Sequence, residues 1–74
     1  MDDQAARLTL RQQQIAALVA EGLTNTEIAQ RLNLSAGTIA NRVRQINKRL
    51  HLKGRVRLAV WAVENGVYRS QQRH

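Results

Sequence analysis

The sequence predicts an all-α fold, a four-helix bundle containing a helix-turn-helix, with helices near 10–21, 25–32, 36–51 and 55–65. Three observations predict it. Apolar residues recur at spacings of three and four, the period of a helix buried along one face. Alternation with a period of two never lasts long enough to make a strand. Side chains that start helices stand ahead of the segments, and the 74-residue chain has no proline to break them. The length suits one domain over 1–74, with 1–7 and 69–74 as frayed tails.

The first helix opens at Thr9-Leu10-Arg11-Gln12, where Thr and Gln three residues apart have the spacing of a capping box. Ile15, Leu18 and Val19 form its apolar stripe, and Gly22 suits the left-handed residue that ends a helix. The second opens at Thr24-Asn25-Thr26-Glu27, a stronger capping box because the Glu carboxylate also favours the positive helix end. Ile28, Ala29 and Leu32 face the core, Asn33 suits a left-handed stop, and Leu34 plugs the core from the turn. Ser35 caps the third helix, whose stripe Ile39, Val43, Ile46 and Leu50 is spaced 4, 3 and 4. The fourth begins after Gly54 and ends before Gly66.

Two capped helices joined by three or four residues must cross sharply, the helix-turn-helix arrangement. On the third helix, Gly37, Asn41, Arg44 and Lys48 lie opposite the apolar stripe, flanked by Ala40 and Gln45. Small residues in its first turns allow close approach to a surface, and a DNA major groove, about 12 Å wide, admits such a helix. Asn41 can pair adenine N6 and N7, and Arg44 can pair guanine O6 and N7.

The charge pattern agrees. The chain has 12 Lys and Arg against 5 Asp and Glu, a formal net charge of +7. Between Ile28 and Val63 there is no acid, while Arg31, Arg42, Arg44, Lys48, Arg49, Lys53, Arg55 and Arg57 all fall there. Such an asymmetry points to a polyanion. With Trp61 and Tyr68 as the aromatics, base stacking on a single strand is disfavoured. Cysteine is absent and there are two histidines, so no metal or cofactor site is expected. His51 has no Asp, Ser or Cys placed to make a triad, and no enzyme activity is expected. No apolar run reaches the ~20 residues of a membrane span and the start is acidic and polar, so a cytoplasmic, nucleoid-associated protein is expected.

From Leu8 to Gly66 the chain resembles the LuxR/GerE-type (NarL-like) DNA-binding domain, most specifically in LVAEGLTNTEIAQRL (18–32) and SAGTI (35–39), with Ile46, Arg49-Leu50 and Arg55 continuing the likeness. The resemblance implies four helices, with the third reading the major groove of double-stranded DNA. It implies base reading by Ala40, Asn41 and Arg44 with Gln45 nearby, and backbone contacts at Thr26, Thr38 and Arg49. Arg42 and Lys48 join the backbone set by their charge and their place on the helix. This family usually has Lys where the chain has Ala40, His where it has Arg42, and Glu where it has Gln12 and Gln14. Ala40 leaves an apolar contact, such as a thymine methyl, in place of a basic one. These departures bear on the target sequence and leave the fold unchanged.

The fourth helix is apolar nearly all round, and such a helix is buried on two sides. Leu58, Ala59 and Ala62 form one stripe and Val56, Val60 and Val63 another, with Trp61 nearer the edge of the first. The resemblance assigns Leu58, Ala59 and Ala62 to the core and the valine stripe to a two-fold dimer contact, with which Trp61 is also counted. From the pattern alone the two stripes could be exchanged. A core this small supplies about 3–5 kcal/mol, which makes a partner a physical expectation. The reading is therefore a stand-alone, bacterial-type transcriptional regulator that binds an inverted repeat as a homodimer. Its rival is an antagonist or co-regulator that pairs with a larger LuxR-type regulator through helix 55–65. A promoter-binding piece that contacts RNA polymerase is a third.

Overall fold

The computed structural model describes residues 7–69. Four helices, α1 (Leu10–Glu21), α2 (Asn25–Leu32), α3 (Ala36–Leu50) and α4 (Arg55–Glu64), make up its regular structure. The first two boundaries follow from the caps. Thr9 Oγ1 accepts from the Gln12 N–H at 3.1 Å while the Thr9 N–H donates to Gln12 Oε1 at 2.9 Å. Thr24 and Glu27 make the same exchange at 3.1 and 2.8 Å. Each box satisfies helix-end donors that would otherwise lack partners. Ser35 Oγ accepts from the Thr38 N–H at 3.1 Å and starts α3.

The ends of the helices differ in chemistry. Gly22, at φ +100°, closes α1, and a Cβ built there meets nothing within 4 Å. Any larger residue at 22 is therefore opposed by backbone conformation and not by a clash. Asn33, at φ 64° and ψ 42°, closes α2. Helix α3 ends at Leu50, one residue before the expected 51, because His51 adopts the left-handed conformation at φ 58° and ψ 40°. A left-handed residue cannot continue a right-handed helix. Helix α4 likewise ends at Glu64 and not at 65, with Asn65 at φ −103° as its cap and Gly66 at φ +72° just beyond.

Burial follows the apolar spacing. Ile15, Ala16, Leu18 and Val19 of α1, Ile28 and Ala29 of α2, the full Ile39-Val43-Ile46-Leu50 stripe of α3, and Leu58, Trp61 and Ala62 of α4 form one core. Leu8 joins it from ahead of α1, and Leu23, Leu32 and Leu34 pack against it from α2 and its flanking turns. Helix α1 packs chiefly on α4, and α2 on α3. The turn between α2 and α3 is Asn33-Leu34-Ser35, so the pair forms a helix-turn-helix whose second member turns its polar face outward.

Two arginines tie the elements together. Arg55 is half-buried at the start of α4, where Gly54 supplies no side-chain cap. Its guanidinium donates to Asn25 Oδ1 at 2.7 Å and to the Leu23 carbonyl. The α1–α2 turn is thereby fastened to α4. Arg49 donates to the Arg7 carbonyl while Arg7 donates to the Arg49 carbonyl at 3.0 Å. Arg7, expected in a frayed tail, is thus held against the end of α3. The rest of the expected tails lies outside the described residues, apart from Arg69, which is exposed.

Candidate nucleic-acid interface

The outer face of α3 is the most concentrated set of candidate residues. At roughly 100° per residue, Gly37, Asn41, Arg44 and Lys48 fall in an arc of about 60° opposite the buried stripe. All four are exposed, as is the adjacent Gln45. Ala40 is half-buried on one flank of the arc, and Thr38, Arg42 and Arg49 lie on the other, where Thr38 is half-buried and the two arginines are exposed. Thr26 is exposed in the first turn of α2.

Gly37 has no steric reason within the protein to be glycine. A Cβ there would meet Ser35 Oγ at 3.9 Å, an ordinary contact. Glycine in a helix costs about 0.5–1 kcal/mol relative to alanine. That cost falls at the point where α3 presents its backbone to the outside.

At the start of α3, Ser35 Oγ donates to Thr38 Oγ1 at 2.9 Å, which leaves the Thr38 hydroxyl proton directed elsewhere. Exposed N–H groups and the helix dipole make such a terminus favourable to anions. Arg44 donates through Nη1 to Asn41 Oδ1 at 2.6 Å, so two of the expected base readers are joined in the free protein. Arg49 has one hydrogen bond to the Arg7 carbonyl, yet its side chain remains exposed.

Burial separates the two stripes of α4 that the sequence left interchangeable. Leu58 and Ala62 are fully buried, while Val56, Val60 and Val63 are 76, 45 and 56 % exposed. Trp61, expected beside the valines, is 8 % exposed and belongs to the core. It lies about 60° from Leu58 and about 100° from Val60 around the helix axis. Its large indole surface gains more from the core than from a flank. Val60 and Val63, with Ala20, Ala59 and Glu64, line a shallow groove of about 360 Å³.

Arg55 and Arg57 had no assigned role from the sequence; the structure gives Arg55 one, with its partners Asn25 and Leu23 lying 30 and 32 positions away. A signal was present: a cation at a helix N-terminus opposes the dipole, so an arginine there needs another partner. Among the described residues, no cluster of three metal-ligating side chains forms, and no helix is long and apolar enough to cross a membrane.

Residues 6–62 match the family described as "Bacterial regulatory proteins, luxR family". The chain belongs to the luxR family. Its similar proteins include the nitrate/nitrite response regulator protein NarL of Escherichia coli strain K12, 37 % identical over 62 residues that cover 84 % of this chain and 29 % of NarL. The transcriptional regulatory protein DesR of Bacillus subtilis is 33 % identical over 66 residues, 89 % of this chain and 33 % of DesR. The DNA-binding transcriptional activator DevR/DosR of Mycobacterium tuberculosis is 36 % identical over 62 residues, 84 % of this chain and 29 % of DevR/DosR. The chain thus spans about a third of the length of these relatives. Within the luxR-family region the sequence supplies its own outer face on α3, where Ala40, Asn41 and Arg44 stand together.

Proposed function

We propose that this luxR-family domain is a sequence-specific, double-stranded-DNA-binding transcriptional regulator that lays α3 in the major groove. The observation that carries the reading is the outer face of α3: exposed, free of acids, glycine at its leading end and basic from Arg42 onward. Arg44 reads guanine, with Ala40, Asn41 and Gln45 against the neighbouring base edges. Thr26, Thr38, Arg42, Lys48 and Arg49 hold backbone phosphates on either side. A relative named as a DNA-binding transcriptional activator supports the same reading.

The domain acts as a homodimer on an inverted repeat. Support comes from Val56, Val60 and Val63, three neighbouring valines exposed on one helix face. A two-fold pairing of α4 buries them and duplicates α3, and two half-sites then reinforce each other through effective concentration. The same face would serve the rival, pairing with a larger luxR-family regulator. The site of action is the cytoplasm, at the nucleoid.

Selection of duplexes from a random pool, followed by binding titrations, tests the proposal. The wild type is expected to enrich a two-fold symmetric site, Arg44→Ala to lose the preference at one base pair of each half, and Val60→Asp to occupy half-sites independently. Unchanged base preference in Arg44→Ala refutes base reading by α3. Absence of DNA binding, together with a complex formed with a larger family member and lost in Val60→Asp, favours the rival.

A further inference from the structure

Asn41 and Arg44 are one turn apart on α3 and joined by a hydrogen bond of 2.6 Å from Arg44 Nη1 to Asn41 Oδ1. Guanidinium carries no acceptor, so the atom of Asn41 that faces it is the amide oxygen. The bond therefore fixes the orientation of the Asn41 amide as well as the position of the Arg44 fork. Both side chains are exposed. No acid lies between Ile28 and Val63 to compete for Arg44 from within α3.

We infer that Asn41 is a positioning residue for Arg44, and that the two read DNA as a single unit whose outward groups are all donors. This rests on the proposed major-groove role of α3. With Nη1 engaged by Asn41, the Nε–Nη2 edge of Arg44 stays intact, and that edge is a two-donor fork matched to guanine O6 and N7. A neutral oxygen holds the fork without cancelling its charge, as a carboxylate would. The Asn41 NH2 keeps its donors, and they suit an acceptor on the adjacent base pair: guanine O6 or N7, or thymine O4. Adenine N7 could also accept from the NH2, but its N6 amino group would then compete with Arg44 for the same oxygen. The unit therefore favours guanine at the Arg44 position and guanine or thymine over adenine at the adjacent pair.

Selection from a random duplex pool with wild type, Asn41→Ala, Asn41→Asp and Arg44→Ala tests this, with affinities then measured on duplexes varied at the two positions. All substitutions are at exposed positions, and unchanged thermal melting checks the fold. The wild type is expected to prefer guanine at the Arg44 position by about fivefold or more. Arg44→Ala abolishes that preference. Asn41→Ala weakens it at least about threefold although Arg44 is intact, because the fork is no longer aimed. Asn41→Asp binds more weakly overall through its charge, yet it retains the guanine preference and loses the adjacent one, since it keeps the oxygen and lacks the NH2. A guanine preference unaffected by Asn41→Ala overturns the inference, as does selection of adenine at a position governed by Asn41 alone. If the wild type enriches no sequence at all, the base-reading role of α3 fails and this inference with it. The first two outcomes leave that role standing.

Discussion

Replacing Arg55 by alanine should unfasten the α1–α2 turn from α4. The guanidinium makes hydrogen bonds to Asn25 Oδ1 and to the Leu23 carbonyl from a half-buried position. A hydrogen bond from a charged donor contributes about 1.5–3 kcal/mol, and partial exposure places these bonds toward the lower end. Loss of both, with the Leu23 carbonyl left to find another partner, costs about 2–3 kcal/mol. For a chain of this size each kcal/mol shifts Tm by about 4–8 °C, so Arg55→Ala should melt roughly 8–24 °C lower. Arg57→Ala is the internal control: Arg57 is exposed two residues further on, and its loss should change stability by less than about 0.5 kcal/mol. Thermal unfolding followed by circular dichroism reads both. A double-mutant cycle with Asn25→Ala should return a coupling of about 1 kcal/mol, because the pair is in direct contact. A drop for Arg55→Ala no larger than that for Arg57→Ala, or additive effects with Asn25→Ala, would refute the clamp.

Three further outcomes are expected. Trp61→Ala should cost about 3–5 kcal/mol and leave the domain unfolded or barely folded at 25 °C, whereas Val63→Ala should leave the monomer's stability nearly unchanged; urea denaturation separates the two. Gly37→Ala should raise Tm by a few degrees, since a Cβ fits without a clash and the helix gains about 0.5–1 kcal/mol, while DNA affinity falls because the methyl stands between α3 and the groove. With Arg42, Lys48 and Arg49 on phosphates, the logarithm of affinity should fall against the logarithm of salt with a slope of about −2.7 per domain, and Lys48→Ala should lower its magnitude by about 0.9.

The parts of the fold legible in the sequence are those that local chemistry decides. Thr9 with Gln12 and Thr24 with Glu27 set the starts of α1 and α2 within a single turn of chain, and the expected boundaries of both helices match the structure. The end of α3 was less legible. His51 becomes left-handed through competition between helix continuation and the packing of Leu52 against the core, a choice that its own residue type leaves open. Trp61 shows the limit of a stripe argument. A flank residue between two apolar faces goes where its ring is covered, and here that is the core. Arg55 was illegible as a clamp because its partners are distant in sequence. The Asn41–Arg44 bond is local, and i, i+3 spacing permits it, but spacing alone does not distinguish a bonded pair from two side chains each turned to solvent.

Contact with DNA through α3, and not through the valine face of α4, is open to a direct measurement. Backbone amide shifts of the isotope-labelled protein are followed while duplex carrying the selected site is added. The largest changes are expected on Gly37, Asn41, Arg44 and Lys48 and on the starts of α2 and α3, with Val56, Val60 and Val63 moving together in a separate, DNA-promoted dimer transition. Changes confined to α4, with α3 unmoved, would contradict a DNA-reading α3.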